Sequence, residues 1–318
     1  MFDYQDKRKP NWIIYQTDSK KIPSIKGNFL FLGSHEKENK GNILSVKGKV
    51  VVVTGASGGI GEAIAVAFGR EGAKVVLVSR RKEKLEAIAS NLPEALVIEA
   101  DLEDPAAAVR MIEQTIEHYG RLDILINNAA SIIVAKSEEV LPEDLLKAFR
   151  TNLIAPVVAT QTALPYFKRQ GGGQIINIGS PGFMMGIPFY SPYVCSKAAL
   201  SAWTRTIQAE WAGTGIQISE YFPGYIKTDS DPESRIGEVK QDFLMAEKQN
   251  FLTRTFAKPK TADSVAKDIL KMALKPRLLM HSGAGVMIGS FISNLPGFRL
   301  SIARQMAETA RRKMENRG

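Results

Sequence analysis

Cysteine and histidine are almost missing from this chain of 318 residues. The single cysteine, Cys195, rules out an internal disulfide and suits a reducing compartment. The three histidines, His35, His118 and His281, lie far apart without metal-ligand spacing, so a catalytic metal is not expected. Long apolar runs are missing as well. The islands at residues 12–15 and 29–32 fall short of the ~7–15 apolar residues of a signal-peptide core, which excludes a secretory signal. Residues 278–298 carry no Lys, Arg, Asp or Glu, yet Gly283, Gly285, Gly289, Pro296 and several serines argue against a spanning helix. The expected location is cytoplasmic.

Acidic residues are outnumbered, 33 against 42 Lys and Arg, for a formal net charge of +9. The excess sits at the ends: +4 in residues 1–48 and +4 in residues 299–318, leaving +1 for the 250 residues between. A nearly neutral middle is not a nucleic-acid surface, and no nucleic-acid partner is expected. Residues 1–45 read as a basic N-terminal extension. In the C-terminal extension, residues 284–318, Ala303, Met306, Ala307, Ala310 and Met314 recur at helical spacing among Arg304, Arg311, Arg312 and Lys313. Such a basic amphipathic helix suits either peripheral contact with anionic lipid or packing on protein.

What is present between the ends is one large core. Hydrophobic residues make up 44% of the chain, enough for a single α/β domain over residues 46–283. Apolar strand patterns after residue 49 and over 73–79, 95–100, 122–126, 174–179, 217–222 and 277–281 alternate with helical patterns. The helices cover 62–71, 82–91, 105–119, 143–169, 192–212 and 261–273, the fourth bent near Pro156. That alternation predicts a parallel sheet with right-handed crossovers. Residues 229–256 are charged and lack a strong period, as a flap over a pocket does.

Residues 49–61 read KVVVVTGASGGIG: a buried strand, a glycine turn, then an apolar-faced helix. Such a turn lets backbone approach a pyrophosphate while the helix N-terminus offers free N–H groups, so it reads as a dinucleotide site. Farther on, Tyr193 and Lys197 stand four positions apart on one helix face. A phenol whose pKa is ~10 exchanges protons at neutral pH only beside a group that favours its anion, and Lys197 is placed to be that group. The alternative for this pair alone is a packed tyrosine and a solvated lysine. Cys195, two positions from Tyr193, is expected off the Tyr–Lys face as a packing residue, with a reactive thiol as the other option.

The glycine spacing Gly55-x-x-x-Gly59-x-Gly61 after Thr54 resembles the short-chain dehydrogenase/reductase family, and further motifs follow in that family's order. These are Asp101-Leu102 after the third strand, Asn127-Asn128-Ala129-Ala130, Asn152, Ser180 placed 13 residues before Tyr193, and Pro223-Gly224-Tyr225-Ile226-Lys227-Thr228. The resemblance implies a Rossmann-like doubly wound parallel sheet flanked by helices. It also implies a catalytic set of Asn152, Ser180, Tyr193 and Lys197. Cofactor contacts carried over from it are Thr54, Gly55, Ser57, Gly59, Ile60, Gly61, Ser79, Arg80, Asp101, Leu102, Asn128, Ala129, Pro223, Gly224, Ile226 and Thr228, with Tyr193 and Lys197 again. Ala130 departs from the usual glycine, with a small backbone adjustment expected.

The second strand ends in Ser79-Arg80-Arg81, with no acid to accept from the 2′-hydroxyl of NAD. NADP(H) is therefore favoured over NAD(H), with Arg80 expected on the 2′-phosphate. The alternative is that both arginines open a solvated helix. The glycine turn itself supplies no cation, because Gly58 stands where the family often has a basic residue. Residues 181–190, rich in Phe, Met and Ile, suit a lipophilic ketone or alcohol such as a steroid or fatty-acyl compound, or else pack against the core or a second subunit. By resemblance the long helices pair into a homodimer or homotetramer. The expected reaction is hydride transfer between a ketone and a secondary alcohol. The alternative, a non-catalytic dinucleotide-binding scaffold, has no chemical need for all four catalytic residues.

Overall fold

The computed structural model describes residues 45–224, 226, 233–234, 260–282 and 308. The expected N-terminal extension, nearly all of the 229–256 flap and the C-terminal helix lie outside the described residues, as does Thr228. The first half of the chain runs β1 (Val50–Thr54), α1 (Gly59–Arg70), β2 (Lys74–Ser79), α2 (Lys82–Ala89), β3 (Ala95–Glu99), α3 (Pro105–Tyr119) and β4 (Ile124–Asn127). The two-residue β5 (Ile133–Val134), α4 (Pro142–Phe149), a π-helical turn (Arg150–Ile154) and α5 (Ala155–Arg169) follow. Then come β6 (Gly173–Ile178), α6 (Gly182–Met185), α7 (Ser191–Glu210), β7 (Ile216–Phe222), β8 (Glu233–Ser234), α8 (Ala262–Leu274) and β9 (Leu279–His281).

Seven strands form one parallel sheet in the order β3-β2-β1-β4-β6-β7-β9, and β5 pairs with β8. The all-apolar run of β1 follows from its central place, since helices cover both of its faces. Val51 and Val53 face a core built with Ile64 and Phe68 of α1 and Ile269 and Met272 of α8. Val50 and Val52 face the other, with Met111 and Ile112 of α3 and Ala159, Ala163 and Phe167 of α5. The period-2 alternation of a strand thus feeds two cores from one valine run. Helix ends carry their own signals: Asp104 caps α3 by accepting from Ala106 N at 2.9 Å, and Thr261 caps α8 by accepting from Ser264 N at 3.2 Å.

One expectation shifts. The helix over 143–169 is interrupted at the π-helical turn Arg150–Ile154, ahead of Pro156. Pro156 has no N–H to return to the carbonyl of Asn152 four residues earlier, so the widened turn precedes the proline and places Asn152 within it. Among the described residues, no helix is long and apolar enough to cross a membrane.

At the amino ends of β1 and β4, Asp123 collects a set of donors. Its carboxylate accepts from Val50 N at 2.9 Å, Lys49 Nζ at 3.1 Å, and Arg121 Nε and Nη2 at 2.9 and 2.6 Å. Burial alone would raise its pKa, but Arg121, the Val50 N–H and Lys49 outweigh it and hold the group below the usual carboxylate value. A depressed carboxylate pKa contributes stability above the unfolded value, and that stability is lost as pH falls through the folded one. Asp123→Ala is expected to cost about 3 kcal/mol at pH 7, since it leaves a buried N–H without a partner. Urea unfolding at pH 7 and pH 3 checks this, with a smaller difference from wild type at the lower pH.

Candidate active site

Because the large sheet is parallel, the carboxyl ends of its strands share one edge, and strand order reverses between β1 and β4. A crevice forms at such a switch point. The expected site residues gather there. Thr54 ends β1, and its Oγ1 accepts from Asn128 N at 2.9 Å and Ala129 N at 3.0 Å while donating to Ile126 O at 3.3 Å. Asn128 Nδ2 returns a bond to Thr54 O at 2.9 Å. These bonds clamp the exit of β4 onto the glycine turn. Ala130, just beyond, is exposed.

The turn through Gly55, Ala56, Ser57 and Gly58 leads into α1, whose first residues are Gly59, Ile60 and Gly61. A Cβ on Gly61 would lie 2.2 Å from Gly55 O and 2.6 Å from Asn128 Nδ2, so only glycine lets the helix close on the turn. No side chain caps this helix, which leaves its first N–H groups and the positive end of its dipole for an anion. A cradle free of side chains, lined by unspent N–H donors, fits the pyrophosphate of a dinucleotide.

The cation beside that cradle is Arg81. Its Nε donates to Ser57 Oγ at 3.0 Å and its Nη2 to Ser57 O at 3.1 Å. A Cβ on Gly58 would come within 3.2 Å of Arg81 Nη2, so the guanidinium occupies the space a side chain at Gly58 would take. Arg80, favoured on the sequence, is 65% exposed and lies 4.0 Å from Asp101 Oδ2, beside another of the expected cofactor contacts. Arg80 and Asp101 line a shallow pocket with Asp104 and Arg110. Ser79 Oγ accepts from Arg81 N at 3.1 Å, and Asp101 Oδ1 accepts from Glu103 N at 3.0 Å while Leu102 is buried. The signal for Arg81 was a basic pair at the end of β2; which arginine folds back depends on how the chain enters α2.

The four residues expected to be catalytic come together from the end of β6, α7 and the π-helical turn. Ser180 follows β6 and its oxygen accepts from Gly182 N at 3.1 Å, which leaves the hydroxyl proton free to donate. Tyr193 stands on α7. Burial raises the phenol's pKa, and the Ser180 hydroxyl works against that rise, so Tyr193 holds its proton at neutral pH. One turn on, Lys197 is buried and its Nζ donates to Ile178 O at 2.7 Å. Burial lowers the lysine to about 8, with Glu220 opposing the shift. Cys195 is exposed, which corrects the packing role expected of it. On this helix its position lies off the Tyr–Lys face, where no core covers it.

Asn152 holds the back of the site. Its Oδ1 accepts from Ser131 N at 2.7 Å, and its Nδ2 donates to Ser131 O at 2.9 Å and to Ser196 Oγ at 2.8 Å. Ser196 Oγ in turn donates to Tyr193 O at 2.8 Å, which fixes the helix turn that carries the tyrosine. Deeper, Asn127 Nδ2 donates to Asn177 Oδ1 at 2.8 Å and Asn177 Nδ2 to Thr204 Oγ1 at 2.9 Å, joining β4, β6 and α7. Ser131 and Ser196 were missed on the sequence, although Ser196 stands inside the Tyr-x-x-x-Lys motif. Pro223 and Gly224 follow β7, Gly224 N donates to Ser282 Oγ at 2.6 Å, and Ile226 is buried and bridges to Lys260.

Known proteins carry the same pattern. The short chain dehydrogenase family matches residues 49–238 of this chain. An uncharacterized oxidoreductase of Thermotoga maritima is 36% identical over 190 residues, covering 58% of this chain and 75% of that protein. An 11-beta-hydroxysteroid dehydrogenase-like protein, 4A, of Arabidopsis thaliana is 37% identical over 213 residues, covering 65% of this chain and 67% of that protein. Among solved structures, a short chain dehydrogenase from Burkholderia cenocepacia in complex with NADP superimposes with a TM-score of 0.65 at 27% identity, covering 76% of this chain and 99% of that one. With more than half the chain matched and the parallel sheet in place, the protein belongs to the short-chain dehydrogenase family, oxidoreductases that act on CH–OH and C=O groups with a nicotinamide dinucleotide.

Proposed function

We propose that this protein is an NADP(H)-dependent oxidoreductase that interconverts a lipophilic ketone and its secondary alcohol. The observation that carries the reading is the convergence of Ser180, Tyr193 and Lys197 beside the glycine cradle. In the reducing direction, Tyr193 gives its phenolic proton to the developing alkoxide. Ser180 donates to the same oxygen while its own oxygen accepts from Gly182 N. Lys197 stabilises the tyrosinate left behind. Asn152 spends its amide on Ser131 and Ser196, so its part is to hold the helix turn that carries Tyr193. When bound, the nicotinamide supplies or takes the hydride. Tyr193→Phe is expected to keep NADPH binding while turnover falls about 10²–10⁴-fold. Steady-state rates and fluorescence titration of NADPH check this, and normal turnover removes the tyrosine from the mechanism.

Preference for the 2′-phosphate is supported by two features: β2 ends without an acid, and Arg81 lies across Ser57 and Gly58. Two neighbouring structures are complexes with NADP-type ligands, the Burkholderia cenocepacia dehydrogenase with NADP and a Thermococcus sibiricus alcohol dehydrogenase with 5-hydroxy-NADP (TM-score 0.61, 25% identity, covering 74% of this chain and 95% of that one). For the substrate, support comes from the wall between serine and tyrosine. Phe183, Met184, Ile187 and Phe189 are half-buried there, and Phe183 stacks edge-on with Phe222 at 5.7 Å. The name of the Arabidopsis thaliana relative points to a steroid-sized substrate as well. Removing the Arg81 guanidinium (Arg81→Ala) is expected to lower the NADPH-to-NADH affinity ratio about tenfold or more, the size of one charge-assisted bond. Arg80→Ala is expected to change it less; unchanged ratios in both variants overturn the NADP(H) preference.

A further inference from the structure

Behind the catalytic lysine lies an acid that the mechanism above does not use. Glu220, on β7, is 1% exposed. Its Oε2 accepts from Ser201 Oγ at 3.0 Å. Among the described residues its Oε1 has no hydrogen-bond partner. Ser201 stands one helical turn after Lys197 on α7, so the lysine and the hydroxyl that holds Glu220 share a face. A Cβ on Gly179 would sit 2.8 Å from Glu220 Oε1. Gly179 links Ile178, whose carbonyl takes the Lys197 ammonium, to Ser180. The free oxygen of Glu220 therefore lies against the backbone between the lysine's acceptor and the catalytic serine, and a glycine there is what admits it.

Burying a carboxylate with one oxygen unbonded is costly, and a packed apolar side chain would avoid that cost. We propose that Glu220 is a positioning residue for Lys197, an anion held by Ser201 beneath the catalytic helix whose field keeps the lysine charged as pH rises. The inference rests on the role assigned above to Tyr193 and Lys197. Burial raises the Glu220 carboxyl to about 7, with the Ser201 bond, Arg205 and Lys197 pulling the other way. Lys197 titrates at about 8. The groups facing Glu220 are few. Lys197, Ser201 and Arg205 come from α7, β6 presents Asn177 in register with Gly179 just beyond its end, and β9 presents Leu279 in register. The titratable side chain of β9, His281, instead stacks on Phe222 at 5.3 Å.

The sign follows from these values. Above the Glu220 pKa the carboxylate is an anion that opposes deprotonation of Lys197; below it the carboxyl is neutral and resembles glutamine. Glu220→Gln is therefore expected to move the alkaline limb of kcat/KM about one pH unit toward acid, the effect of one nearby charge. The loss of rate grows above pH 7 and fades below it. Ser201→Ala, which removes a donor to the carboxylate, is expected to move the limb the same way by less. A side chain needed only for packing would instead lower the rate equally at every pH, and parallel profiles overturn the inference.

A second readout does not depend on turnover. A carboxyl raised from 4.5 to about 7 on folding loses stability as pH climbs through that window. The Tm of Glu220→Gln minus that of wild type is expected to rise between pH 4.5 and 7.5; a flat difference overturns the buried ionisation. Tyr193→Phe, measured alongside, separates the two readings. Inactive Tyr193→Phe with an unmoved Glu220→Gln profile overturns the role of Glu220 alone. Active Tyr193→Phe overturns the mechanism and this inference together.

Discussion

A parallel sheet covered by helices on both faces leaves its central strands no solvent side, and the rest of this structure depends on that constraint. Val50 to Val53 pack into two separate cores, so β1 has no room for a polar group until Thr54 at its end. Polar chemistry is therefore displaced to the carboxyl edge, where Thr54, Ser79, Asn127 and Ser180 emerge from neighbouring strands. The reversal of strand order between β1 and β4 opens that edge into a crevice.

Concentrating polar groups at a buried edge creates a problem of satisfaction, which side-chain bonds between elements solve. Thr54 serves two N–H groups of the β4 exit, Asn127 and Asn177 tie the sheet to Thr204, and Asn152 locks Ser196 under the catalytic tyrosine. Each bond that satisfies a polar group also holds a catalytic or cofactor-facing residue in position. Glu220 is one of several buried groups left short, its Oε1 without a hydrogen-bond partner among the described residues. An unmet buried charge beside a reactive group is where the electrostatics of a site are tuned.

Much of this was legible in the chain. The valine run and the helix starting at Thr261 follow from local rules, and the strands and helices of the core fall close to their expected bounds. The order of strands and helices predicted a parallel sheet, and the order of motifs resembled that of the short-chain dehydrogenase/reductase family. What escaped were relations between segments distant in sequence. The β5–β8 pair joins residues 100 positions apart with only two residues in each strand, too little pattern to read. Asn152 stood out by resemblance, but its bonds to Ser131 and Ser196 span 21 and 44 positions. Cys195 was expected to pack, yet its place on α7 faces outward, a matter of helix rotation against the sheet.

The sequence by itself determined the alternation of strand and helix, the glycine turn and the chemistry of the catalytic side chains, because these rest on short-range periodicity and residue type. Only the tertiary structure decided that Arg81 and not Arg80 lies on the glycine turn, and that Glu220 sits behind Lys197. Both depend on side chains meeting across strands. Strand order, helix rotation and the space left by Gly58 and Gly179 set those meetings, and no local pattern in the chain encodes them.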